Sequence, residues 1–240
     1  MSKTIILADV VASRSVDRFR ERRDEFLVAA AVAHREAGWV THDYAVTAGD
    51  EFQNIVTGTA YVPTLVFDLR RRFRPLDLRI AIGVGRVASL PTPTEPVNIG
   101  GTGEAFERAR EAMDSLRGPT FKSWQPLAAS KFARKYRSFT ALRTGVDDLD
   151  VAVNIIYRLL DSLLRRTTDR QWETINAYEQ HHRLDRAAEA LEVDESTVSR
   201  NLNRSSYWQA LDAMVAVEQI LRRLDATIQN PQLAPRNART

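Results

Sequence analysis

TIILADVV, residues 4–11, is rich in β-branched residues and carries a single acid, Asp9, near its end. The composition predicts a buried strand. An acid inside such a strand costs free energy unless it is paired or bound to a metal, so Asp9 marks a candidate site. After the strand, residues 14–37 repeat apolar positions at helical spacing (Phe19, Phe26, Ala30, Ala33), and Gly38 closes the helix. Residues 40–47 and 52–56 read as strands joined by Ala48-Gly49-Asp50-Glu51, a hairpin. A second helix is expected over 61–73, stopped by Pro75, and LRIAIGVGRV at 78–87 is another strand. A proline-rich loop at 91–96 leads to Gly100-Gly101-Thr102-Gly103 and a helix over 104–116.

The order β-α-β-β-α-β-α is that of a split β-α-β arrangement, ferredoxin-like or palm. From residue 147 the pattern turns helical, with helices expected at 150–166, 169–181, 184–191, 195–203 and 206–228. The reading is therefore α+β. A ferredoxin-like (palm) domain, 1–146, precedes an all-α domain with a helix-turn-helix, 147–228. The tail 229–240 has little to bury and is expected to be disordered.

At 240 residues and 44% hydrophobic content the chain is long enough for two cores. It has no cysteine, which excludes disulfides, a thiolate nucleophile and cysteine-bound zinc. No secretory signal and no run of ~18 apolar residues is visible. The expectation is a cytoplasmic protein without a membrane partner. The net charge of +3 permits nucleic-acid or nucleotide partners without requiring them. Between 116 and 146 there is no acid, while Arg117, Lys122, Lys131, Arg134, Lys135, Arg137 and Arg143 alternate with Phe121, Trp124, Phe132, Tyr136 and Phe139. That run is either a solvated face with core aromatics or a phosphate-contacting surface. The four histidines show no partner in the sequence and receive no role.

In a palm order, strand one and the hairpin are neighbours, which would bring Asp9, Asp50 and Glu51 together. Clustered carboxylates repel unless a cation compensates, and Mg²⁺ takes oxygen ligands from carboxylates and phosphates. The expectation is one cation shared by Asp9 and Asp50. Gly49, Gly101 and Gly103 would admit a phosphate to the backbone, with Arg110 facing the same cleft.

ADVVASR, TAGDEFQ, RIAIGVGRV and GEAFERARE, in that order, resemble the SatD family of bacterial proteins over about residues 3–140. At greater distance they resemble the palm domains of GGDEF diguanylate cyclases and class III nucleotide cyclases. Ala48-Gly49-Asp50-Glu51-Phe52 differs from GGDEF in its first residue. The resemblance implies a metal position at Asp9-Val10 and a phosphate contact at Arg110. Glu107 and Glu111 stand where class III enzymes carry asparagine and arginine, so cyclase chemistry is not implied.

RLDRAAEALEVDESTVSRNLNRS, residues 183–205, carries the second motif. Leu184, Ala187, Ala188 and Leu191 form the packed face of one helix. Glu192-Val193-Asp194 is the turn, and Val198 and Leu202 face inward on the next helix. Asp194 is expected to cap that helix. Ser196, Thr197, Ser199, Arg200, Asn203 and Arg204 face outward, side chains suited to base edges and phosphates of double-stranded DNA. The segment resembles helix-turn-helix domains of the sigma region 4-like kind over about 157–204, with Glu192 where a turn glycine is expected. The last helix has a wide apolar stripe, Leu211 to Leu224, which serves either packing or a homodimer. The combined expectation is a DNA-binding regulator whose palm-like domain binds a nucleotide with Mg²⁺. The alternatives are a nucleotidyl cyclase or nucleotidyltransferase using Asp9 and Asp50, or a degenerate palm serving as an oligomerisation scaffold.

Overall fold

The structure, a computed structural model, describes residues 2–13, 18–89, 101–117 and 138–229. β1 (Ser2–Val10) is followed by α1 (Phe19–Glu36), β2 (Ala45–Ala48) and β3 (Glu51–Val56). A short 3-10 turn, Thr59–Tyr61, then leads into α2 (Val62–Arg72), β4 (Leu78–Arg86) and α3 (Glu104–Arg117). β5 (Thr140–Arg143) and five helices complete the chain: α4 (Asp147–Leu164), α5 (Asp169–His181), α6 (Leu184–Leu191), α7 (Glu195–Arg204) and α8 (Tyr207–Gln229).

The sheet runs β2-β3-β1-β4-β5. β1 lies between β3 and β4, antiparallel to both, and β5 adds a parallel edge to β4. Successive side chains of a strand point to opposite faces, and β1 buries both. Ile6, Ala8 and Val10 join the core under α1 and α2, whereas Ile5 and Leu7 join a second core under α3. β4 divides in the same way, with Leu78, Ile80, Ile82 and Val84 in the first core and Ala81 in the second.

α3 lies along β4, β1 and β5. Ala105, Ala109 and Ala112 form its inner face, fully buried. Opposite them stand Gly83 and Gly85 of β4. A Cβ on Gly83 would fall 2.0 Å from the Ala105 carbonyl oxygen and 2.3 Å from the Ala109 nitrogen. Small residues on both surfaces therefore let helix and strand backbones touch, which fixes the height and rotation of α3.

α4 is fastened to β5 by polar side chains. The Asp161 carboxylate accepts from the backbone nitrogens of Phe139 and Thr140 at 2.7 and 2.8 Å. Asn154 exchanges two hydrogen bonds with the Leu142 backbone, each of 2.8 Å. Asp150 accepts from Thr144. α8 returns across α2 and α4, and the Thr59 hydroxyl donates to Asp225 at 2.6 Å. One hydrophobic core runs through the parts on either side of 146/147: Phe67 of α2 packs 6.0 Å from Trp172 of α5 and 6.5 Å from Tyr207 of α8.

Several elements differ from the sequence reading. The strand expected at 40–47 is only Ala45–Ala48, with an irregularity between Val46 and Ala48; Val40 makes no more than an isolated bridge to Val56. The helix expected from residue 14 starts at Phe19, and 14–17 lie outside the described residues. β5 has no counterpart in the sequence reading of 116–146. Lys122, Lys131, Arg134, Lys135, Arg137, Phe121, Trp124, Phe132 and Tyr136 lie outside the described residues, as do Gly100, the 91–96 loop and the tail 230–240.

Gly83→Val should be strongly destabilising, since two methyl groups must enter a gap that holds no Cβ. A loss of about 1–3 kcal/mol in urea-unfolding free energy is expected from such overpacking. The exposed change Ala152→Val in α4, which adds two carbons where Gly83→Val adds three, should cost well under that.

Candidate functional site

At the end of β1 the register sets Asp9 opposite Glu51 on β3 and opposite Arg79 on β4. Directly opposed residues share a face, so all three lie on the α3 side. Both carboxylates are buried, Asp9 at 3% exposure and Glu51 at 5%. α3 supplies the compensating charge. Arg110 grips Glu51 through two bonds, 2.9 and 3.1 Å. Arg117, seven residues on and so on the same helical face, bonds Asp9 through Nε at 2.8 Å and Nη2 at 2.6 Å, and Glu51 through Nη2 at 3.0 Å. Arg79 adds 3.2 Å contacts to both Asp9 oxygens, and the Thr47 hydroxyl donates to Glu51 at 2.7 Å. Guanidinium–carboxylate forks of this kind are the strong class of protein hydrogen bond.

Asp50 takes another direction. Its carboxylate accepts from the Ser13 hydroxyl at 2.6 Å, and Arg23 donates to the carbonyl of Gly49, whose φ is +59°. Gly49 and Asp50 line an open cleft of ≈ 610 Å³ together with Ser13, Arg18 and Phe19. Arg110, Gly101 and Gly103 line a second cleft of ≈ 780 Å³ beside α3, shared with Thr47, Gln53 and Phe106. The candidate residues are thus divided: Asp9, Glu51 and Arg110 belong to one charged cluster, and Asp50 with Gly49 to a separate cleft. Val10 is buried at 1% exposure in the core under α1 and α2. Gly103, at φ +125°, presses on the backbone of residues 86–88, and Gly101 packs on the Phe106 ring. Both glycines are required by packing, whatever they contact besides.

The cluster bears on Mg²⁺. A cation held by Asp9 and Glu51 would need the oxygens that Arg79, Arg110 and Arg117 occupy, and would sit against three positive charges. As arranged, these residues do not fit a resident Mg²⁺.

Sequence reasoning missed Arg79, Arg117, Thr47 and Gln53. Arg79 was detectable, because strand alternation puts it on the same face of β4 as Gly83 and Gly85. Arg117 was masked by the basic run it opens. His34, given no role from the sequence, is fully buried between the Tyr44 hydroxyl and Asp68, each at 2.7 Å. Asp68 also pairs with Arg71 and Arg72.

The second candidate surface is α7. Glu192 ends α6 at φ +54°, in the left-handed region that favours glycine. Residues 192–194 turn the chain into α7. Asp194 occupies the cap position, but its side chain makes no cap bond; its backbone oxygen accepts from Thr197 and Val198 instead. Val198 and Leu202 are completely buried. Ser196, Arg200, Asn203 and Arg204 are exposed, and Thr197 and Ser199 half-buried. Arg200 folds back on the Ser196 carbonyl and Thr197 hydroxyl at 3.2 and 3.3 Å. Arg204 makes no ion pair among the described residues.

The chain is thus an α+β protein with a five-stranded sheet and eight α-helices among its described residues. The SatD family profile matches residues 4–217. The chain belongs to the SatD family, and the match extends past the 3–140 segment that carries the motifs, through α7 and into α8. Among solved structures it is similar to the crystal structure of a regulator of polyketide synthase expression from Bifidobacterium adolescentis, 17% identical over 92% of this chain and 82% of that one. The TM-score is 0.27, too slight a likeness to bear on fold or function. No curated protein matches the chain. No helix among the described residues is long and apolar enough to cross a membrane.

Burial pushes the Glu51 carboxyl up, but the hydrogen bonds from Arg110 and Thr47 and the charges of Arg110 and Arg117 outweigh it and hold the group below its ordinary value. A carboxyl depressed in the folded state stabilises fully above the unfolded value, ~4.3. That contribution is lost as pH falls through the folded value. Glu51→Gln should therefore lower stability at pH 7 and make the loss on acidification from pH 7 to below the ordinary carboxylate range shallower than in the wild type. Urea midpoints at both ends of that window check it.

Proposed function

We propose that this SatD-family protein is a DNA-binding regulator that reads duplex DNA with α7 and binds a nucleotide on its palm-like sheet domain. The observation that carries the reading is the division of α7: two apolar residues four apart are fully buried, and the opposite face is exposed, short and rich in hydrogen-bond donors. Residues 184–204 read as a helix-turn-helix, with α7 as the helix that enters the major groove. Arg200, Ser196, Thr197, Ser199 and Asn203 contact base edges, and Arg204 holds a phosphate. Arg200's present bonds are to its own helix, so releasing it costs little.

The acids beside this face temper affinity. Asp185 and Glu189 are paired with Arg183 and Arg186, while Asp194 and Glu195 sit at the helix start, where the macrodipole favours them. Modest affinity per subunit makes a homodimer on two half-sites the fitting assembly.

The sheet order β2-β3-β1-β4, with each crossover helix spanning one intervening strand, supports the palm-like reading. The nucleotide's phosphates are placed at Arg110 and Arg117, whose guanidinium groups Glu51 and Asp9 now hold. Arg110 is half exposed. Mg²⁺ enters this reading with the nucleotide, not as a resident ion. The enzyme alternative is favoured less, because Asp50 is engaged by Ser13 and Asp9 by two arginines.

The test is binding to a selected duplex across salt concentrations. Arg200→Ala should lose about 1–3 kcal/mol and relax preference at one base pair. Arg204→Ala should weaken binding to every sequence alike and reduce the salt slope by about one unit. Wild-type protein that binds no duplex even at low salt contradicts the reading.

A further inference from the structure

The cleft beside α3 contains a buried polar group that the fold does not use. Gln53 lies on β3 two residues beyond Glu51, on the same face of the sheet, opposite Leu7 of β1 and Ala45 of β2. It is 8% exposed and lines the ≈ 780 Å³ cleft. Among the described residues its side-chain amide has no hydrogen-bond partner. Its amide atoms are not among the enclosed ones that lack a partner, so the amide opens on the cleft, where it can bond what enters.

Its surroundings match one ligand shape. Phe106 of α3 lines the same cleft, its ring seated against Gly101. Arg110 lies at the Glu51 end, one strand step from Gln53. Glu107, Glu111 and Asp114 of α3 also line it, which leaves Arg110 as the one basic contact for an anion among the described lining residues. A ligand that fits has a flat, uncharged ring carrying a donor beside an acceptor, joined to an anionic group.

We infer that Gln53 reads the base edge of a nucleoside phosphate, with the ring lying along Phe106 and the phosphates directed to Arg110 and Arg117. A primary amide presents one donor and one acceptor in a plane, the complement of a nucleobase edge such as adenine N6/N7. The assignment rests on the nucleotide reading above and adds to it the residue that distinguishes a nucleotide from a bare polyphosphate.

Calorimetric titration with ATP, GTP and inorganic pyrophosphate, each at constant Mg²⁺, tests it on the full chain. At least one nucleoside triphosphate should bind more tightly than pyrophosphate. Gln53→Leu should weaken that nucleotide about tenfold, the loss of a hydrogen-bonded pair, and leave pyrophosphate unchanged. Gln53→Met, which removes donor and acceptor, keeps the length and adds no charge, should do the same, and it decides the matter if the leucine variant does not fold. Nucleotide affinity unchanged in a folded Gln53 variant, or lost in parallel with pyrophosphate, overturns the base-reading role while leaving the nucleotide reading intact. Absence of binding by all three ligands to the wild type overturns both.

Discussion

The molecule is arranged about one strand buried on both faces. β1 has antiparallel neighbours on either side, and every side chain from Thr4 to Val10 is buried. Even-numbered positions belong to the core beneath α1 and α2, which continues into the C-terminal helices. Odd-numbered ones belong to the core beneath α3, and that parity turns Asp9 to the same side, beside Glu51. A carboxylate there is tolerable only with paired charge. α3 can bring Arg110 and Arg117 close enough because Gly83 and Gly85 let its alanine face reach the sheet. The close helix–strand contact and the charged cluster are therefore one device. Removing one partner from a buried ion pair costs far more than the pair contributes, so the cluster is a constraint on the position of α3 more than a source of stability.

The elements legible in the sequence were those with a strong period. β1 and β4 show β-branched runs, and α6 and α7 show inward residues at helical spacing, so their bounds agree closely with the structure. β5 was not legible: four residues, Thr140–Arg143, carry too little pattern, and they sit inside a basic stretch. The choice between Asp50 and Glu51 was not legible either, because it depends on register. One residue of slip exchanges the faces of a strand, and the irregularity between Val46 and Ala48 sets where the hairpin count begins. Glu192 shows the converse. Its departure from glycine was visible in the sequence, and the turn keeps its shape with a non-glycine residue at positive φ.

α7 is tied to the sheet through α2 and α5. Asp68 of α2 holds His34 of α1 on one side and Arg71 on the other, and Arg71 reaches Asn176 of α5 at 3.4 Å. On the same helix, the Thr174 hydroxyl accepts from the Asn201 amide of α7 at 3.1 Å. Tyr207, at the start of α8, donates to Glu179 of α5 at 2.5 Å. α7 thus rests on a helix that is itself packed on the sheet domain, with its outward face left to solvent.

The central claim is that this outward face is where DNA sits. Amide hydrogen exchange of the full chain, with and without a selected duplex, tests it most directly. The account predicts slowed exchange concentrated in residues 192–204, with the strands unchanged. Protection confined to α1 or to the cleft beside α3, with none across α7, would contradict it.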